Sequence, residues 1–143
     1  MNIFLDTSSL FKLYHKEVGT ESIDGVFANH NISEIFLSEI AKIEFTSTVW
    51  KKVRVQEISE MQAKEKIKLF EADFDKYTFV QIDNDITFNA RNLITKYGKE
   101  GLRTLDSIQL STSISLINHC RLFITSDKLL DILFEQESLP TKI

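Results

Sequence analysis

Two aspartates directly follow short apolar runs that are typical of buried strands. Asp6 comes straight after residues 2–5, and Asp127 comes two residues after the run at residues 121–125. In an open parallel sheet, ligands bind beyond the carboxyl ends of the strands, near the point where the strand order reverses. Both carboxylates are therefore predicted to lie at that edge. An aspartate in this position also commonly caps the next helix, and that interpretation stays open for each residue taken alone.

Two further acids lie on helical faces that the apolar spacing predicts to be buried. Glu44 lies one turn after Ile40 and beside Ile43, and Asp106 opens a predicted helix. The residues on the predicted inward face below Asp106 are Gln109, Leu110, Ser113 and Ile117. An unpaired buried carboxylate is costly, so each acid needs a basic partner, a metal ion or a proton. A salt bridge for Glu44 and a helix cap for Asp106 are the structural alternatives.

A shared site of Asp6, Glu44, Asp106 and Asp127 would offer only oxygen ligands, which suits Mg²⁺ or Mn²⁺ rather than zinc. Such a cluster repels itself, and a divalent ion relieves that repulsion. A bound ion also lowers the pKa of its water and stabilises charge on a phosphoryl oxygen. The predicted chemistry is metal-assisted hydrolysis of a phosphodiester bond.

The elements that must position these acids alternate along the chain. Apolar runs predict strands at residues 2–5, 32–37, 77–82 and 121–125, with a fifth near residues 139–143 left open. Helical spacing predicts helices between them, including a helical hairpin whose second helix opens at the capping box Ser59-Glu60-Met61-Gln62. This alternation predicts one domain over residues 1–143, an α/β/α three-layer sandwich around a mostly parallel sheet.

Composition narrows the class of protein. A chain of 143 residues, 43% apolar and with one proline and four glycines, has the size and core of one globular domain. Its 17 basic and 21 acidic side chains give a net charge of −4, so any nucleic-acid contact must be local. The single Cys120 excludes an internal disulfide, and no signal peptide or membrane span is predicted. We therefore expect a cytoplasmic protein without a membrane partner.

The acids, taken in order, resemble the PIN domain and within it the VapC-type toxins of toxin–antitoxin systems. The motifs that carry the resemblance are Asp6-Thr7-Ser8 after a strand, Glu44 in a helix, Arg103-Thr104-Leu105-Asp106 at a helix start and Thr125-Ser126-Asp127 after a strand. Ser107 departs from the family, in which many members carry alanine after the third acid.

The resemblance implies a role for each matching position. The residues that would hold Mg²⁺ or Mn²⁺ for RNA cleavage are Asp6, Glu44, Asp106 and Asp127. Ser8 and Thr125 match supporting hydroxyl positions. A homodimer and a cognate antitoxin that blocks the acidic site are also implied by the resemblance.

Basic side chains give candidate RNA contacts. Arg103 near Asp106 could bind a phosphate through its guanidinium, or could instead pair with Glu100 or an acid of the cluster. The predicted hairpin holds six basic residues, which are Lys51, Lys52, Arg54, Lys64, Lys66 and Lys68. Glutamates are interleaved among them, so a solvated helix face is the simpler interpretation.

Other nucleotide and hydrolase classes fit less well. Haloacid-dehalogenase-like phosphatases need a second aspartate where this chain has Ser8, and receiver domains need adjacent acids beside Asp6. The sequence has no dinucleotide-binding, P-loop or nucleophile-elbow motif. The alternative from another class is a non-catalytic PIN-like module that binds RNA or protein. Carboxylates that converge favour the nuclease, and carboxylates that each pair with a basic residue favour the module.

Overall fold

The computed structural model describes residues 1–142 and contains one parallel sheet. Its strands are β1 (Asn2–Leu5), β2 (Glu34–Ser38), β3 (Tyr77–Val80) and β4 (Leu122–Ile124). Their order is β3-β2-β1-β4, and every neighbouring pair is parallel. The mostly parallel sheet is confirmed. Residues 139–142 add no strand, and residue 143 lies outside the described part of the chain.

Seven α-helices connect the strands within residues 1–142. They are α1 (Thr7–Phe11), α2 (Thr20–Asn29), α3 (Ala41–Arg54), α4 (Glu60–Ala72), α5 (Asn84–Tyr97), α6 (Thr104–Ser115) and α7 (Lys128–Gln136). The predicted capping box at Ser59 is present and starts α4. Helix α6 begins two residues before the predicted start, so Asp106 lies inside its first turn and does not cap it. The prediction that Asp106 opens the helix was wrong, because Arg103 already has the extended backbone of a cap.

The helices form a layer on each face of the sheet. Alternate side chains of β1 point to opposite faces: Ile3 and Leu5 pack against the first layer, α1 to α4, and Phe4 packs against the second, α5 to α7. The predicted α/β/α sandwich is confirmed, and each face has its own buried cluster. Among the helices of residues 1–142, none has the length and apolar character needed to cross a membrane.

The strand order places a reversal point beside β1. The chain builds β1, β2 and β3 outward in one direction and then returns to add β4 on the other side of β1. Leu5 lies beside Ile124 in register, and the Asp6 amide donates to the Ile124 carbonyl at 3.1 Å. The carboxyl ends of β1 and β4 thus flank the crevice where ligands bind in open α/β sheets.

Candidate active site

A cavity of about 400 Å³ opens at the carboxyl ends of β1 and β4. Side chains from both helical layers line it. The lining residues include Asp6, Thr7, Ser8, Lys12, Glu17, Glu44, Thr48, Lys51, Lys52, Asp106, Gln109, Ser126 and Asp127. The structure therefore brings all of the sequence-predicted acids to one cavity, although they are as far apart as 121 positions in the chain, from Asp6 to Asp127.

Asp6 is buried and held by a dense set of donors. Its Oδ1 accepts from the Ser9 amide at 3.0 Å, so Asp6 does cap α1. The Ser8 hydroxyl shares its proton between both carboxylate oxygens at 2.8 Å each, and Thr125 donates to Oδ2 at 2.6 Å. Burial nevertheless raises the pKa of Asp6 to about 6, because these hydrogen bonds only partly compensate for lost water.

Glu44 enters the cavity from the first turn of α3. Its Oε1 accepts from the Thr7 hydroxyl at 2.9 Å and from the Gln109 side-chain amide at 2.7 Å. Burial raises the pKa of Glu44, its two donors oppose the rise, and the charge of Asp106 adds to it. Within residues 1–142, Glu44 has no basic partner, so the salt-bridge alternative fails at this position.

Asp106 and Asp127 have few donors. Asp127 caps α7 by accepting from the Leu130 amide at 2.8 Å, whereas no side chain of residues 1–142 donates to Asp106. Burial first and the nearby Asp127 second raise the pKa of Asp106, and the positive charge of Arg103 opposes the rise. The two carboxylates therefore repel each other across the cavity.

The donor chemistry of Asp6, Glu44, Asp106 and Asp127 fits a hard divalent cation, since they offer only carboxylate oxygens and no thiol or imidazole of residues 1–142 lines the cavity. None of these acids is neutralised by an ion pair with a basic side chain of residues 1–142. The carboxylates share a cavity without forming a closed ligand shell: across residues 1–142, no three His, Cys, Asp or Glu side chains are placed to hold an ion. Tight convergence, which would favour a nuclease, is thus not reached, and neither is the basic pairing expected of a passive module.

Basic side chains also line the cavity. Lys12, Lys51 and Lys52 line it together with Glu17. Glu17 is held by Lys12 at 2.9 Å and by Lys52 at 3.6 Å, whereas Lys51 forms no ion pair with any residue of the described chain. Only Lys51 and Lys52, of the six basic residues of the hairpin, reach the cavity, and Lys64 and Lys68 line a separate surface hollow.

Arg103 lies at a second hollow, which it shares with Glu44 and Asp106. It is exposed and forms no ion pair with Glu100 or with any other acid of residues 1–142. The ion-pair alternative for Arg103 is therefore absent from this structure. Its guanidinium lies beside Glu44 and Asp106 and donates no hydrogen bond to another side chain of residues 1–142.

Sequence reasoning assigned no role to two residues that shape the site. Thr7 and Gln109 both donate to Glu44, and Gln109 also donates to the Thr7 hydroxyl at 3.1 Å. The signal for Gln109 was present, because an amide on the buried face of a helix must find polar partners. Nothing in the spacing indicated that its partner would lie 65 residues away in α3.

Comparison with known proteins identifies the family. A sequence model described as the PIN domain matches residues 3–133. This chain belongs to the PIN domain family. The matched span of this PIN domain contains all four acids, helices α1 to α6 and the first part of α7. No curated protein matches the chain.

Solved structures share the fold of this PIN domain at low sequence identity. VapBC2 from Rickettsia felis, bound to a DNA fragment from its promoter, aligns with a TM-score of 0.63 and 18% identity over 99% of this chain and 98% of that one. VapC20 from Mycobacterium tuberculosis, a sarcin-ricin loop cleaving toxin, aligns with a TM-score of 0.69 and 11% identity, over 92% of this chain and 94% of that one. A toxin-antitoxin complex from Klebsiella pneumoniae aligns with a TM-score of 0.61 and 18% identity, over 87% of this chain and 86% of that one.

Proposed function

We propose that this PIN domain is an Mg²⁺- or Mn²⁺-dependent endoribonuclease, the VapC-type toxin of a toxin–antitoxin pair. The observation that carries the proposal is the set of four carboxylates at the sheet's reversal point, none of which pairs with a basic side chain of residues 1–142. The fold shared with VapC20, a toxin that cleaves the sarcin-ricin loop, supports RNA as the substrate class. The non-catalytic alternative has less support, because no basic side chain of the described residues forms an ion pair with any of these four acids.

The residues that would hold the ion are Asp6, Glu44, Asp106 and Asp127. When bound, a divalent ion would supply an activated water and stabilise charge on the phosphate oxygens. Ser8 and Thr125 would act through Asp6, because both hydroxyls fix the orientation of its carboxylate. The Thr125 hydroxyl also accepts from the Asp127 amide at 3.0 Å, and so it ties the ends of β1 and β4 together.

The cationic side chains around the cavity suit an RNA backbone. Arg103 borders the acids with free donors, and its fork can bind a phosphate at two points. Lys51 also lines the cavity, two turns along α3 from Glu44, so Arg103 and Lys51 could both contact phosphates near the acids. This local positive charge allows RNA binding despite the net charge of −4.

The proposal extends to partners and to location in the cell. A cognate antitoxin is expected, since VapBC2 of Rickettsia felis and the complex from Klebsiella pneumoniae share the fold and are toxin–antitoxin assemblies. We also propose a homodimer and a cytoplasmic location. Cys120, the only cysteine, is buried as a free thiol, which agrees with a reducing compartment.

Two measurements on the purified protein test the proposal. Calorimetric titration with Mn²⁺ and Mg²⁺, with the melting temperature recorded alongside, compares the wild type with Asp106→Asn. Binding and thermal stabilisation in the wild type, both strongly weakened in the variant, are expected if Asp106 is a ligand. Cleavage of total cellular RNA, followed by mapping of new ends, then tests the ribonuclease. If the wild type binds no Mn²⁺ at millimolar concentration and leaves the RNA intact, the results would instead support a non-catalytic module.

A further inference from the structure

Gln109 is the most unusual buried polar residue near the cavity. Its side chain is 2% exposed, and its Nε2 uses both protons, one toward Glu44 Oε1 at 2.7 Å and one toward Thr7 Oγ1 at 3.1 Å. Its Oε1 is buried and has no hydrogen-bond partner among the described residues. A buried carbonyl without a donor destabilises the folded state, so this arrangement calls for a reason outside stability.

The orientation of the Gln109 amide is fixed by its neighbours. Turning the amide over would place its oxygen 2.7 Å from the Glu44 carboxylate, in the position that the donating nitrogen occupies now. It would also bury two N–H groups without their present acceptors. The observed orientation satisfies Glu44 and Thr7 and leaves the single carbonyl unpaired, which is the smaller penalty.

The network acts on one oxygen of Glu44 only. Thr7 and Gln109 both donate to Oε1, and no residue of the described chain donates to Oε2. Donors from α1 and α6 thereby hold a carboxylate that projects from α3. One oxygen is fixed by neutral donors, and the other keeps its lone pairs for a ligand in the cavity.

We propose that Gln109 is a positioning residue that fixes the Glu44 carboxylate for cation binding, and that the chain accepts an unpaired buried carbonyl to do so. The inference rests on the proposed function, since it assigns Glu44 to the ion. Outer residues that orient metal ligands in other proteins typically change metal affinity by about 10- to 100-fold when mutated. We expect substitution of Gln109 to change the metal affinity by a factor in that range.

Gln109→Met tests the proposal with two opposed readouts. Methionine keeps the length of the side chain while it removes the donors and the unpaired carbonyl. The Mn²⁺ dissociation constant, measured by calorimetry, is expected to rise at least about tenfold. The melting temperature without metal is expected to change little, because the loss of the donors to Glu44 and Thr7 is offset by the removal of the buried unpaired acceptor. A merely structural glutamine would give a lower melting temperature and unchanged Mn²⁺ affinity, which would overturn the proposal.

Gln81→Met is the matched control. Gln81 also donates to a glutamate, at 3.2 Å from Glu39 Oε2, but on the exposed surface away from the cavity. This variant should leave both readouts unchanged, and a loss of Mn²⁺ affinity equal to that of Gln109→Met would contradict the assignment of Gln109.

A double-mutant cycle with Glu44→Gln shows whether Gln109 acts through Glu44. In that background, Gln109→Met should cause no further loss of Mn²⁺ affinity, whereas an additive loss would overturn the positioning role. The two proposals fail differently. A wild type that binds no Mn²⁺ contradicts the metal-dependent nuclease and the positioning role together. A wild type that binds Mn²⁺ as tightly as Gln109→Met contradicts the positioning role alone.

Discussion

The two halves of the acidic cavity are held in different ways. Asp6 and Glu44, from the first helical layer and the end of β1, accept hydrogen bonds from several hydroxyl and amide donors. The carboxylates of Asp106 and Asp127, from the second layer, are stabilised within residues 1–142 only by the α7 cap at Asp127 and the nearby charge of Arg103. One half is fixed before any ion binds, and the other is left free to adjust.

This difference explains why four carboxylates can share a cavity without a closed ligand shell. Neutral donors partly compensate for the buried charge of Asp6 and Glu44 and orient both carboxylates. Repulsion between Asp106 and Asp127 is offset only by the nearby charge of Arg103 and not by hydrogen-bond donors to Asp106 from side chains of residues 1–142. A divalent ion would remove that repulsion, and closing of the free half around it is the expected consequence.

The largest effect is expected on activity and should be the same in both halves. Asp6→Asn and Asp106→Asn each remove a proposed metal ligand. A bound ion would stabilise the transition state by several kcal/mol. Each variant should therefore lose about three orders of magnitude or more in kcat/KM relative to the wild type. RNA cleavage assays on both variants, with circular dichroism to verify folding, measure it. Full activity in either variant would remove that residue from the catalytic site.

Substitutions in the two halves should change the free energy of unfolding differently. We expect the largest change for Asp6→Asn. Burial raises the pKa of Asp6 from its ordinary value of 3.8 to about 6, so the folded state favours the protonated form. The wild type therefore loses stability as pH rises through this window, by up to roughly 3 kcal/mol above pH 6. Asparagine cannot ionise and still caps a helix. With a chelator present, Asp6→Asn should be more stable than the wild type at pH 8 and about equal near pH 4.

Denaturant unfolding of both proteins across that pH range measures the difference. Asp106→Asn serves as the comparison, and it should gain less because Asp106 is only half-buried. A stability difference between Asp6→Asn and the wild type that does not vary with pH would contradict the raised pKa.

Removing a donor from the held half should destabilise the protein. Thr125→Val deletes the hydroxyl that donates to Asp6 at 2.6 Å and accepts from Asp127. Leaving a buried carboxylate short of a donor costs about 2 kcal/mol. Urea unfolding at pH 8 should show this loss. Arg103→Gln, next to the free half, should change stability by less than about 0.5 kcal/mol, as exposed substitutions usually do.

The smallest effect is expected on substrate binding. Lys51→Gln removes a cation that lines the cavity without an ion pair to the described residues. An exposed ionic contact contributes under about 1 kcal/mol to the binding free energy. We therefore expect KM to rise about threefold with little change in kcat. The salt dependence of RNA binding should also become shallower by about 0.7 in log–log slope. Lys64→Gln, on a hollow away from the cavity, is the control and should leave both quantities unchanged.

The local sequence determined most of the fold and the identity of the acids. Strand β1 matches its predicted bounds, and Ser59 caps α4 as its motif indicates. Such features depend on hydrophobic period and on side chains that bond to nearby amides, so they can be recognised within a few residues. Asp6 and Asp127 were placed correctly because carboxyl ends of parallel strands share an edge. The start of α6 was missed because Arg103 has no capping side chain that would mark it.

Only the tertiary structure decided how each acid is held. Which carboxylate receives donors depends on packing between α1, α3 and α6, and the bond from Gln109 to Glu44 spans 65 positions. The same holds for the basic residues, since Lys51 and Lys64 look equivalent in sequence but lie at different hollows. Sequence pattern encodes the direction of a side chain relative to its own element. The contacts between elements, which set hydrogen bonding, burial and therefore pKa, arise only when the layers pack together.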